Sequence, residues 1–358
     1  MTIFYILLAV LMFGIMICVH ELGHFLAARL SGIPVKEFAI GFGPQIASWN
    51  SKKYDTKFFI RIIPMGGYCM FYGEDDVDEK EKDDPRAFKN YHPSKRLFTV
   101  SMGSIMNIML AFFVAVLVFQ FSGVPKIVGS YETTVQSVNS GSPAEAGGMK
   151  VGDKILSING EELSNNLSTI VDRHAEKNNA PLEIIVERGY GNNAREEKLL
   201  IRPLYSSTDR RYMMGIVVNI YAPTEVVRGS FGEVISSAYR LCKGAGGAII
   251  DGFRGLITRG EGFEELSGIV GVTDAIVKES QRSSYMVYPS MLILISINLG
   301  IINLFPFPGL DGSRALFLIY EWIRGKPVKN EAYIHATGMI LLFGLLIFIT
   351  MRDIFRLF

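Results

Sequence analysis

The chain has 358 residues, enough for two or three domains in a soluble protein, yet 49% of them are hydrophobic and 20% charged, and mean hydropathy is +0.27. That balance excludes an average soluble enzyme, and a net charge of +1 gives no ground for a nucleic-acid partner. Three cysteines, Cys18, Cys69 and Cys242, are odd in number and far apart, which leaves no readable disulfide framework or C-x-x-C metal pair.

About 18 consecutive apolar residues suffice for a membrane-spanning helix. Thr2 to Val19 is the first such stretch and runs into His20-Glu21. It has no basic leader and no small-residue cleavage site, so residues 1–30 are expected to form a retained anchor rather than a signal peptide. Residues 31–96 change character. Phe38-Ala39-Ile40 leads into Gly41-Phe42-Gly43-Pro44, a turn signal, and Lys57 to Ile63 is rich in β-formers before Pro64-Met65-Gly66-Gly67. A β-hairpin or small sheet beside the membrane is expected there, with an acidic, solvated loop from Glu74 to Asp84.

The second span covers 97–122. Residues 123–205 read as an α+β module. Val135 to Val138 is a strand, Ser142-Pro143 opens a helix, Asn159-Gly160 is a tight turn, Leu167 to Glu176 is helical, and Leu182 to Glu187 and Glu197 to Ile201 are strands. Residues 206–282 are expected to carry an amphipathic surface helix, because Asp251, Arg254 and several glycines interrupt the apolar pattern. Residues 283–312 read as a third span, 313–331 as a connecting loop and 332–358 as the fourth span. The expected architecture is a polytopic α-helical membrane protein with four transmembrane helices, a membrane-associated β-hairpin region and one α+β domain outside the membrane.

Lys and Arg in short loops set orientation. Arg29, Lys36, Lys52, Lys53, Lys57 and Arg61 follow the first span, and Arg314, Arg324, Lys326 and Lys329 follow the third. Both loops are therefore expected in the cytoplasm, with both termini and the α+β module outside; Arg352 and Arg356 oppose this weakly.

His20-Glu21-Leu22-Gly23-His24 is an H-E-x-x-H motif. Residues four apart share a helix face, so both imidazoles can reach one ion while the glutamate between them serves as general base. Three ionisable groups in five residues at membrane depth are costly unless they have a task. A catalytic zinc takes three protein ligands and leaves one position open. Ala27 and Leu30 stand where a metzincin pattern needs Gly and His, and Glu37 lies in the strand-like region rather than on a second helix. Asp311, in Asn303-Leu304-Phe305-Pro306-Phe307-Pro308-Gly309-Leu310-Asp311-Gly312, is the better third ligand, because broken backbone at membrane depth belongs where it lines a buried or watered cavity. His20 lies roughly 26 Å along its helix, near the far side of the bilayer core. Spans one and three cross in the same direction, so Asp311 emerges on that same side.

Taken together, the H-E-x-x-H motif, the Gly41-Phe42-Gly43 turn and Asn303 to Gly312 resemble the site-2 protease family of intramembrane zinc metalloproteases, most closely its bacterial sigma-E-regulating branch. The resemblance covers nearly the whole chain. Gly103-Ser104-Ile105-Met106-Asn107 matches that family's G-P-x-x-N except that Ser104 replaces Pro, and Leu266 to Gly271 matches L-S-G-P-V-G with Ile269 in place of Pro. Ser142 to Gly147 and Gly152 to Gly160 resemble a PDZ domain, present once.

The resemblance implies zinc held by His20, His24 and Asp311, with Glu21 as base. It implies Asn107 near the reacting carbonyl, Asn303 bonding substrate backbone, and the hairpin ending at Gly66-Gly67 pairing substrate as an added strand. Asn107 equally suits tying neighbouring helices together, and the plain alternative for the hairpin is a cytosolic cap. The PDZ-like module either binds peptide ends or acts as a steric filter, with the filter preferred. Implied partners are the bilayer, single-span proteins such as anti-sigma factors, and signal-peptide remnants. The implied location is a bacterial inner membrane, multi-pass, with the active site near the cytoplasmic side. A non-catalytic PDZ scaffold is disfavoured by the complete metal-and-base set, and a transporter by the lack of repeat symmetry.

Overall fold

The computed structural model describes residues 2–53, 55–73, 84–128, 131–163, 167–178, 181–189, 194–207, 210–260, 268–283 and 287–357. The chain begins with α1 (Thr2–Ser31), β1 (Val35–Ser51), β2 (Thr56–Phe71), a short 3-10 turn (Phe88–Asn90) and α2 (Pro93–Ser122). Next come β3 (Val124–Ile127), β4 (Glu132–Val138), α3 (Pro143–Ala146), β5 (Lys154–Ile158), β6 (Glu161–Glu162), α4 (Leu167–Asn178), β7 (Leu182–Arg188) and β8 (Arg195–Ile201). They are followed by β9 (Leu204–Ser206), β10 (Arg211–Met213), β11 (Ile216–Tyr221) and β12 (Thr224–Val227). The chain ends with α5 (Phe231–Arg259), α6 (Ile269–Ser283), α7 (Val287–Asn303), α8 (Asp311–Arg324) and α9 (Glu331–Leu357). Two compact units result: residues 1–122 with 229–358, and residues 123–228.

In the first unit, Phe4–Ser31, Pro93–Ser122 and Glu331–Phe355 are long and apolar enough to cross a membrane. The apolar α7 has 17 residues, so the third expected span is helical over a shorter stretch than 283–312. Its helix stops at Asn303, ahead of Pro306 and Pro308, whose rings cannot continue it. Lipid offers no hydrophobic drive between helices, so close backbone approach does the packing. A Cβ on Gly23 of α1 would lie 2.5 Å from the Met102 carbonyl oxygen of α2. One on Gly300 of α7 would lie 2.9 Å from the Ser104 carbonyl oxygen of α2. Ala111 and Ala115 of α2 and Ile293 and Ile297 of α7 close a core onto which α5 lays Ala238. Lys243, Asp251 and Arg254 of α5 stay exposed, as an amphipathic helix requires. The buried Asp353 of α9 accepts the Gly268 and Gly271 N–H groups at 2.8 and 3.0 Å, capping α6 from across the fold. Leu266 and Ser267 of the motif there lie outside the described residues, as does most of the acidic loop after Gly73.

β1 and β2 are long, bent partners. Val35–Ile40 pairs with Gly67–Phe71 on one side, Glu37–Ile40 pairs with Lys57–Ile60 on the other, and Gln45–Ser51 pairs with Thr56–Arg61. The bends fall at Gly41 and Gly43, with φ +87° and +83°. The expected turn is thus a kink within one strand.

The segment 313–331, expected to be a loop, contains α8. Its exposed apolar residues Leu316, Ile319, Tyr320 and Ile323 recur at helical spacing, and Gly325 caps it in the left-handed region.

In the second unit an antiparallel sheet runs in the order β11-β4-β5-β7-β8, with β6 on β5, around Val135, Ile155, Ile158, Ile170, Ile184 and Ile201. Ser142 caps α3 with Pro143 in the first turn, and Asn159-Gly160 (φ +51° and +77°) forms the tight turn into β6. The unit extends to Arg228 rather than ending at 205, because β11 completes the sheet beside β4. The helical stretch expected from 206 therefore begins only at Phe231.

Gly300→Ala should overpack the α2–α7 contact and cost about 1–3 kcal/mol. Thermal unfolding of the purified protein should show a lowered midpoint, and an unchanged midpoint would reject this packing.

Candidate metal centre

His20, Glu21 and His24 lie on α1, and Asp311 opens α8. His20 and His24 are each 8% exposed. Helical spacing brings the two imidazoles together edge-to-face, with Nε2 atoms 3.2 Å apart. Asp311 Oδ2 lies 3.1 Å from His20 Nε2 and 3.4 Å from His24 Nε2. One ligand atom from each of the three residues falls within 4.8 Å of the others.

Backbone outside α1 fixes the rings. His24 Nδ1 donates to the Thr99 carbonyl at 2.9 Å, which leaves Nε2 with its lone pair toward Asp311. Gly103 sits flat against the same ring, where a Cβ would lie 2.3 Å from Nε2. Asn107 of α2 is fully buried, with its amide nitrogen 3.4 Å from His20 Nδ1 and its Oδ1 without a hydrogen-bond partner among the described residues. Exchanging the ends of that amide gives the His20 Nδ1–H an acceptor and frees Nε2 as well. Asn107 thus ties α2 to α1 at His20.

Asp311 reaches the histidines because α8 starts tightly under α7. A Cβ on Gly312 would lie 2.2 Å from the Leu304 carbonyl oxygen. Asn303 closes α7 just before this turn and is half-buried.

Glu21 stands beside the cluster without joining it, within Coulombic range of His20, His24 and Asp311, and accepts a hydrogen bond from the Cys69 backbone. A Cβ on Gly67 would lie 3.1 Å from Glu21 Cγ, so β2 runs directly past this carboxylate. Gly66, at φ +111°, lies under the Phe42 ring.

Two lone-pair nitrogens and a carboxylate oxygen aimed at one point repel unless a cation sits between them. Asp311 Oδ2 is buried and faces only the two imidazole Nε2 atoms, at 3.1 and 3.4 Å, among the described residues. The donor set, imidazole and carboxylate without thiolate, fits zinc with an open position.

Sequence reasoning missed Thr99 and His335, and it noted Gly103 only as part of a motif. The Gly309 N–H donates to His335 Nδ1 at 3.3 Å. A backbone carbonyl leaves no mark in sequence, but a histidine in an apolar span is itself a signal.

Residues 8–346 match the profile of peptidase family M50. A Clostridium acetobutylicum protein assigned as a zinc metalloprotease is similar, at 30% identity over 99% of this chain and 98% of its own. One from Fusobacterium nucleatum, assigned likewise, is 31% identical over 98% and 99%. The regulator of sigma-W protease RasP of Bacillus subtilis is 29% identical over 98% of each chain. The chain belongs to peptidase family M50 and is an intramembrane zinc metalloprotease.

Proposed function

We propose that His20, His24 and Asp311 hold the zinc and that Glu21 is the general base for peptide-bond hydrolysis in or near transmembrane segments. The observation that carries this is the convergence of the three donor atoms beside a carboxylate that is not one of them. Zinc, when bound, supplies Lewis-acid polarisation of a carbonyl and acidifies a water. Glu21 takes the proton of the attacking water and hands it to the departing amine. Asn107 orients His20, and Asn303 faces substrate backbone near the turn.

A helical substrate hides its carbonyls in its own hydrogen bonds and must unwind. The Gly67–Phe71 edge pairs inward with β1 and passes Glu21, so an extended segment added there meets the base. Gly66 and Gly67 leave the start of that edge without side chains.

On this reading α7 is the fourth spanning element, its crossing completed by the Leu304–Leu310 turn. The active site faces the cytoplasmic side of a bacterial inner membrane, and the second unit, a single PDZ-type domain, lies outside. Relatives such as the sigma-W regulator support placing the chain in the bacterial sigma-factor-regulating branch. Its substrates are then single-span anti-sigma factors and signal-peptide remnants.

A groove of about 250 Å³ between α4 and the edge strand β11, lined by Leu167, Val171, Ile216 and Val218, favours peptide capture by the PDZ-type domain over a purely steric filter.

Glu21→Gln should abolish cleavage of a single-span substrate while zinc content, read by metal analysis, stays at one per chain. His20→Ala, His24→Ala and Asp311→Ala should each lower that content. Cleavage at the wild-type rate by Glu21→Gln would reject the mechanism. Proline substitutions across Gly67–Phe71 should slow cleavage at least about tenfold without zinc loss, since each removes a ladder N–H; uniform wild-type rates would exclude strand addition. Val218→Asp should weaken binding of an apolar C-terminal peptide to the full chain, measured by fluorescence anisotropy. Failure of the wild-type chain to bind any such peptide would restore the filter reading.

A further inference from the structure

The turn that delivers Asp311 has few hydrogen bonds of its own. Pro306 and Pro308 have no N–H. Gly309 stands at φ +97°, a conformation that side-chain-bearing residues rarely adopt. The Phe307 N–H bonds to the Phe305 carbonyl at 2.7 Å and the Leu310 N–H to the Phe307 carbonyl at 3.1 Å. The Gly309 N–H leaves the turn and donates to His335 Nδ1 on α9. α9 meets the turn again one helical turn further on. A Cβ on Gly338 would lie 2.0 Å from the Pro308 carbonyl oxygen, so Pro308 rests directly on the α9 backbone.

His335 is itself held in place. Its side chain is 14% exposed, and its ring meets Phe317 of α8 edge-on at 5.4 Å between centroids. Ser313 Oγ lies 3.5 Å from Nδ1, but its proton goes to the Leu310 carbonyl at 2.8 Å, which leaves Nδ1 to the Gly309 N–H. An accepting Nδ1 puts the ring proton on Nε2, which faces Glu331 one turn back at 3.6 Å.

The geometry points to His335 as a positioning residue: it holds the Pro308-Gly309-Leu310 turn at the level on α9 that brings the Asp311 carboxylate to His20 and His24. It does not belong to the donor cluster and touches no reacting group. The last span, which supplies no ligand, thereby sets the third one. This inference rests on the reading of Asp311 as a zinc ligand.

Two substitutions separate the acceptor from the ring. His335→Phe keeps an aromatic edge against Phe317 and removes Nδ1. His335→Asn keeps an acceptor at nearly the same point and removes the ring. Zinc affinity of the purified full chain is measured by competition with a chromogenic chelator, alongside kcat and KM. His335→Phe should weaken zinc binding about tenfold, the low end for groups that support a metal ligand, and should lower kcat with KM little changed. His335→Asn should recover most of both. Wild-type zinc affinity in His335→Phe, or a greater loss in His335→Asn, would overturn the inference in favour of packing alone. If His335→Phe does not fold, His335→Leu takes its place under the same criteria. Asp311→Ala in the same titration separates the two levels. Unchanged affinity there refutes the ligand assignment, whereas loss there without loss in His335→Phe refutes only the role of His335.

Discussion

Three lone-pair atoms aimed at one point inside an apolar helical bundle form the constraint on which the rest of this structure depends. Such an arrangement is costly without a cation, because each group gives up water and meets a like partner. His20 Nε2, His24 Nε2 and Asp311 Oδ2 lie 3.1–3.4 Å apart, and their neighbours are arranged to keep them there. The Thr99 carbonyl turns one ring and Asn107 borders the other, while the tight start of α8 delivers the carboxylate.

Glycine is what makes that convergence sterically possible. Gly23 and Gly103 bring α1 and α2 into backbone contact, Gly103 leaves a flat bed for His24, and Gly312 lets α8 begin against the backbone that directly follows α7. Gly67 does the same for β2 beside Glu21. At each of these positions a methyl group would displace one of the proposed catalytic groups or its immediate support. The small-residue packing that joins membrane helices and the geometry of the site are therefore one set of contacts.

What was legible in the sequence follows from whether the signal is local. H-E-x-x-H reads as a metal pair because a helix forces residues four apart onto one face, and Asp311 stood out because prolines broke an otherwise apolar run. The strands β4, β7 and β8 and the helices α3 and α4 also stood out from their local residue pattern. By contrast, β11 and β12 are short runs whose partners, β4 and β3, lie far back along the chain, and β9 and β10, which pair with each other, are too short at three residues to carry an alternating pattern. The amphipathic α8 was hidden because it directly follows the broken segment and its apolar face stays exposed. The links from Asp353 to Gly268 and from His335 to Gly309 join groups far apart in sequence through backbone N–H donors, which no residue pattern records.

The proposed coordination is tested most directly by zinc K-edge absorption on the purified, zinc-loaded chain. The account predicts nitrogen and oxygen neighbours near 2.0–2.1 Å with outer-shell scattering from two imidazoles, and loss of one light-atom neighbour in Asp311→Ala. A sulfur neighbour near 2.3 Å, or a spectrum unaltered by Asp311→Ala, would contradict it.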